Sequence, residues 1–472
     1  MRKWLTGLTC LLLLLCLCAC AGTATPAAEP EQAAPPAAEA ATPEPTPEPT
    51  PEPPPEPTDE ERVAQAAGLY AVCDYSGAVD ILSPLAEEGC APAQGLLGFC
   101  YAYGYAVQTD LEEACRLWQA SADSGDPYGQ TGLGLRAMNG YCGTEKSLST
   151  AIEWFQKAAD QGLAMGQRHL AGRLANWHDD VAPDYAAAAE YYEKAADQGD
   201  SDALATLGTY YYLGQGVTQD AAKAEACFEK AVAVGNAFTT YQVAVYYEQG
   251  SKALPDKDKA QELYATCYPA IAALAEAGTP EAQYRLAAYY KYGDGGAPQD
   301  TAQSLPWTVK AAEQGYAAAE LSLGNSYETG SGVEQDGDLA IEWYEKAVSH
   351  GSSGAATYLG LLYQNGKLVK RDYKKALEWF QTGMKMGDSY SVNNIGVLYG
   401  NGNGVKKNYK TASEYYQIAA DMGNPLAICN LGRYYYYGSG VEKDVSKAHE
   451  LLERAADMGN SDAIRLLSEL SW

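Results

Sequence analysis

Four histidines make up the chain's whole stock of imidazole: His169, His178, His350 and His449. None stands at metal-ligand spacing from another. No H-E-x-x-H, C-x-x-C or phosphate-cradling G-x-x-x-x-G-K-[ST] occurs. His178-Asp179-Asp180 is the densest polar cluster, and its surroundings read as an interhelical loop. No S-x-x-K is present, so a serine acyl-enzyme of that type is not available. These residues predict no catalytic group, no metal, no cofactor and no small-molecule substrate. The chain is not expected to be an enzyme.

Cysteine is the other reactive side chain. Eight cysteines follow Cys20: Cys73, Cys90, Cys100, Cys115, Cys142, Cys227, Cys267 and Cys429. They fall in different registers of the chain, which favours buried free thiols acting as small apolar groups. An oxidising compartment would allow pairs, with Cys90 to Cys115 or Cys73 the first choice. Cys20 is different. It follows Arg2, Lys3 and an apolar run from Trp4 to Ala19 that is short for a membrane span. Leu17-Cys18-Ala19-Cys20 resembles the lipobox of bacterial lipoproteins. The resemblance implies cleavage before Cys20 and lipidation of its sulfur, which would hold the chain on a membrane, outside the cytoplasm, by the anchor alone.

Composition bounds the rest. The 472 residues are 47% hydrophobic, so a sizeable core can form. Asp and Glu number 61 against 33 Lys and Arg, a net charge of −28, and phosphate binding needs the opposite sign. Nucleic acid is therefore not an expected partner. Three regions follow: a signal segment, 1–19; a lipidated cysteine and stalk, 20–58; and a folded part, 59–472. The stalk's TPEPTPEPTPEPPPEP tract predicts extended polyproline II.

The folded part repeats. Glycines ending an ADQG-like motif stand at 89, 125, 162, 199, 235, 278, 315, 351, 387, 423 and 459. All gaps but one are 36 or 37 residues. Each unit reads as two helices. In Ser201 to Gly235, Ala203, Leu207 and Tyr211 share one face of the first helix. Gly208 beside them permits a close helix crossing. Asp220 caps a second helix whose buried stripe is Ala224, Phe228 and Ala231. The same capping place holds Asp110, Ser147, Asp184, Asp258, Asp300, Asp336, Asp372, Asn408 and Asp444. Residues 60–89 read as a degenerate extra pair, and Ser461 to Trp472 as a lone capping helix. Seven extra residues precede Gly278, and Pro269 and Pro306 predict kinks in their helices.

The stretch LGNSYETGSGVEQDGDLAIEWYEKAVSHG, Leu323 to Gly351, resembles the Sel1-like repeat, a relative of the tetratricopeptide repeat. The resemblance covers about four-fifths of the chain. It implies an all-α, right-handed superhelical solenoid of about ten helix pairs plus terminal caps, used as a scaffold for protein contacts. In the related tetratricopeptide repeat, first-helix residues flanking the L-G pair line the concave wall. The matching positions here are Tyr241, Val245 and Glu248; Tyr284, Ala288 and Lys291; Leu321, Asn325 and Glu328; Thr357, Leu361 and Gln364; Asn393 and Val397; and Arg433 and Tyr436.

A second candidate surface comes from charge. Lys370 and Arg371 precede Lys406 and Lys407 by 36 residues, which places all four on adjacent loops of one edge. The expected function is a non-catalytic, extracytoplasmic adaptor that binds a protein or peptide. The alternative is a protein that binds an envelope polymer or regulates an envelope enzyme.

Overall fold

The computed structural model describes residues 57–175, 183–249 and 256–470. Among these, every regular element is helical: twenty-three α-helices and two short 3₁₀ turns. Consecutive helices pack in antiparallel pairs, and each pair packs on the next, so the unit Pro57–Trp472 is an α-solenoid. A lone helix pair leaves its apolar face open, and stacking closes it.

The local rules are the same in unit after unit. A second helix begins where a side chain caps it. Asp220, Asp336 and Asp372 each accept hydrogen bonds from the backbone N–H groups two and three residues on. First helices end on glycines in the left-handed region, such as Gly214 and Gly330. Between them, the glycine of the L-G pair lets an aromatic ring of the second helix lie against the first helix's backbone. A Cβ on Gly324 would sit 2.4 Å from the Tyr344 ring, and one on Gly360 only 2.3 Å from Phe380. The rings are fully buried there.

One detail differs from the sequence reading. The unit with extra residues is capped by Asp256, not Asp258, because the helix Lys257–Glu276 takes up the insertion as length, 20 residues against 13 in most others. Both proline-bearing helices, Lys257–Glu276 and Thr301–Glu313, continue through Pro269 and Pro306. The degenerate pair forms the helices Asp59–Ala71 and Tyr75–Glu87, and it does more than cover an end. Its core residues Val63, Ala66 and Leu82 belong to the same apolar cluster as Phe238 and Leu286, far along the chain. Asn236 Nδ2 donates to the Ala71 carbonyl at 2.9 Å across that junction. The capping helix is Ser461–Glu469.

Candidate functional site

The junction between the N-terminal pair and the middle units encloses a cavity of about 600 Å³. Its floor is built by the N-terminal turns of successive first helices. Arg168, on the helix Ala164–Leu174, bridges to the next unit: its Nε lies 3.1 Å from Asp200 and an Nη 3.6 Å from Asp202. Asp200 is also the cap of the helix Ser201–Leu213, so one carboxylate fixes both a helix end and a neighbouring unit. On Pro280–Tyr292, Arg285 contacts Glu281 one turn earlier at 2.6 Å and stacks over the Tyr241 ring, 4.7 Å from its centroid.

The opposite wall is aromatic. Tyr75 and Tyr105 stack at 4.0 Å, nearly parallel, with Tyr70 edge-on to both. The Tyr105 hydroxyl donates to Glu281 Oε2 at 3.4 Å, joining the two walls. Tyr103, on the same helix end, keeps 37% of its surface exposed inside the concavity. Burial among neighbours pushes the phenols of Tyr70 and Tyr105 above their ordinary range. A second cavity of about 470 Å³ shares Arg168, His169, Asp202 and Gln242 with the first. Burial, with Arg168 and Arg173 nearby, holds the His169 imidazole well below its ordinary value of 6.5, so it is neutral at pH 7.

The residues proposed from the repeat pattern divide into two sets. Several are engaged inside the solenoid. Tyr241 packs on Tyr264 and Tyr289. Glu248 and Glu328 accept hydrogen bonds from Tyr264 and Tyr344. Gln364 Oε1 is buried without a hydrogen-bond partner. Asn393 is buried and accepts from Asn430 Nδ2, and Val245, Leu361 and Val397 are partly buried against core clusters. Others are open: Asn325 and Arg433 are exposed, while Tyr284, Ala288 and Lys291 line a cavity of about 570 Å³. Tyr436 lies edge-on to the exposed Tyr437. Lys370, Arg371, Lys406 and Lys407 are all exposed. Their loops are adjacent, since a Cβ on Gly404 would meet Tyr373 at 2.6 Å. Cys20 and His178 lie outside the described residues.

The cysteine reading needs one correction. Cys115 and Cys142 form a disulfide that joins a second helix to the turn of the following unit. Neither preferred pairing, Cys90 with Cys115 or Cys73, is formed. The sequence registers differ because Cys142 replaces the second glycine of a turn, where the chain doubles back onto the preceding unit. Its φ of 55° is the conformation that glycine would supply. Among the described residues, six cysteines are free. Burial pushes the Cys100 thiol up to about 12 and the Cys429 thiol up to about 11, the reverse of what a nucleophile needs. Among the described residues, no group of three His, Cys, Asp or Glu side chains could hold a metal, and no helix is long and apolar enough to cross a membrane. The arrangement suits binding: aromatic faces and fixed charges converge on a concave space.

Sequence reasoning missed this cavity. It placed the concave lining at the L-G pair, whereas part of the cavity's lining lies nearer the first helices' N-termini. Asp200, Asp202, Phe238 and Glu281 are of that kind. An arginine among the apolar positions of a first helix, as at 168 and 285, is the signal that could have found it.

The repeat is matched by the family model described as Sel1 repeat in ten copies, at residues 91–126, 127–163, 164–200, 201–236, 238–265, 280–316, 317–352, 353–388, 389–424 and 425–460. Among solved structures, the chain is similar to a protective antigen of uropathogenic Escherichia coli. The identity is 31%, over 83% of this chain and 82% of that one, with a TM-score of 0.38. A Sel1 repeat protein from Oxalobacter formigenes is also 31% identical, over 56% of this chain and 99% of that one, with a TM-score of 0.41. An immunity protein from Pseudomonas aeruginosa is 23% identical, over 48% and 82%, with a TM-score of 0.35. A comparison with curated proteins finds no match. With ten copies of the repeat spanning most of its length, the chain belongs to the Sel1 repeat family.

Proposed function

We propose that this chain is a non-catalytic scaffold, tethered by a lipid on Cys20 to the extracytoplasmic face of a membrane, that holds a protein or peptide partner in the concavity of its solenoid. Sel1 repeats are protein-interaction scaffolds as a class. The observation that carries the reading is the cavity between the N-terminal helix pair and the middle units, which presents exposed Tyr103 beside fixed charges. Rigid aromatic side chains contribute large contact area at low entropic cost. The Leu17-Cys18-Ala19-Cys20 motif supports the tether, and the Cys115–Cys142 bridge is chemistry of an oxidising compartment.

The test replaces Tyr103 with a photo-crosslinking phenylalanine analogue in intact cells, followed by mass spectrometry. A defined polypeptide joined at position 103, and not at the exposed control position Tyr358, supports the proposal. Identical patterns at both positions overturn it. Fractionation of Cys20→Ser cells tests the tether separately: unchanged membrane association, with no labelled fatty acid on the wild type, would rule the lipid anchor out.

The exposed loops of Lys370, Arg371, Lys406 and Lys407 favour a second reading, a contact with an anionic envelope polymer. Reversing those four charges would abolish a pull-down by teichoic acid or peptidoglycan if that reading holds, and leave the crosslink at 103 in place.

A further inference from the structure

We infer that the larger cavity is a cation site: it selects a partner segment by one ammonium or guanidinium group, received between Glu281 and the tyrosines that face it. The inference rests on the scaffold reading and adds the chemistry of the ligand.

Three observations carry it. The charged side chains of this cavity are Arg168 and Arg285 against Asp200, Asp202 and Glu281, with His169 neutral. One negative charge is left over, and both arginines are already fixed by carboxylates, so neither is available to clamp an acidic ligand. Secondly, the two oxygens of Glu281 are used unequally. Oε1 takes both contacts from Arg285, while Oε2 holds only the long contact from Tyr105. That oxygen keeps acceptor capacity on the side of the aromatic wall. Thirdly, Glu281 lies near Tyr75, Tyr105 and Tyr316, whose phenols are raised first by burial and further by its charge, and Tyr103 lines the same cavity. A carboxylate with tyrosine rings around it attracts a cation through its charge and through the ring faces together. The protein already shows the same chemistry in this cavity, with Arg285 stacked over Tyr241 beside Glu281.

The test uses the full chain in detergent micelles and titration calorimetry. The probes are the capped tetrapeptide acetyl-Gly-Lys-Tyr-Gly-amide, its norleucine and glutamate counterparts at the lysine position, and n-butylammonium alone. The lysine peptide should bind about tenfold more tightly than the norleucine peptide, and the glutamate peptide should not bind. Glu281→Gln should abolish the preference for lysine over norleucine. Tyr103→Leu should weaken the lysine peptide with the helical signal unchanged. Binding of n-butylammonium as tight as that of the peptide would show a small-cation site and overturn the peptide assignment. Equal binding of all three peptides, no binding of any, or a preference that survives Glu281→Gln would overturn the cation site. In each of these cases a specific crosslink at position 103 leaves the scaffold reading standing. Loss of that crosslink with lysine selectivity intact would overturn the scaffold reading instead.

Discussion

The phenol of Tyr344 donates a 2.6 Å hydrogen bond to Glu328 Oε2, sixteen residues earlier, and thereby ties the second helix of a unit to the end of its first. Tyr264 and Glu248 repeat the bond at 2.9 Å two units before. One unit on, the same two places hold Phe380 and Gln364. The ring has no hydroxyl, and Gln364 Oε1 is left buried without a partner. An unmade buried hydrogen bond is a larger penalty than a made one is a gain.

Phe380→Tyr should therefore stabilise the chain by about 0.5–1.5 kcal/mol, because the new hydroxyl meets an acceptor already in place. Urea unfolding followed by circular dichroism measures it. A destabilised variant would mean that the ring's far edge has no room, and that the Tyr344 geometry is not shared.

Gly360→Ala tests the close crossing from the other side. Its Cβ would stand 2.3 Å from the Phe380 ring, so helix or ring must move. Overpacking of this kind costs roughly 1–3 kcal/mol, only partly offset by alanine's better helix propensity. The exposed helical glycine Gly68, with nothing within 4 Å of a Cβ, is the control. Alanine there should be neutral or stabilising. Equal effects at the two sites would refute the packing explanation.

The disulfide Cys115–Cys142 closes a loop of sequence separation 27. Replacing both cysteines with serine should destabilise the first units by about 2–4 kcal/mol. Because solenoid stability is a sum over units and their interfaces, the loss should be local. Hydrogen exchange should accelerate across residues 91–163 and stay unchanged beyond residue 317. Protection that is insensitive to both the mutations and reductant would show that the bridge contributes nothing.

The repeat register, the capping residues and the buried rings were legible because each recurs with the period of the unit. Asp220, Asp336 and Asp372 announce helix starts by chemistry that depends on four consecutive residues. What recurs once per unit can be read from one unit. The cavity was not legible for the same reason: Tyr105 meets Glu281 across 176 residues, through the way the units curve rather than through any one of them. The insertion misled in a simpler way. Asp256 and Asp258 both suit a cap, and only the extra helical length chooses between them. The stripe around the L-G pair combined exposed Asn325 and Arg433 with Glu328 and Asn393, which the fold engages internally. Periodicity places residues on a face without telling whether a neighbouring unit covers it.

His169 connects the cavity to acid stability. Its ring stacks on Phe155 at 5.2 Å, and burial holds its ionisation below 6.5 in the folded chain. The unfolded chain then binds the proton more readily than the folded one. Stability from this group is complete above the unfolded value and declines as pH falls below about 6.5. Melting temperature should drop between about pH 7 and pH 5.5 at constant ionic strength, with the drop reduced in His169→Gln. Exchange-rate increases should centre on the helix Ala164–Leu174 and its neighbour Ser201–Leu213. A melting curve flat across that interval, or an equal decline in His169→Gln, would show that His169 takes up its proton as freely in the fold as outside it.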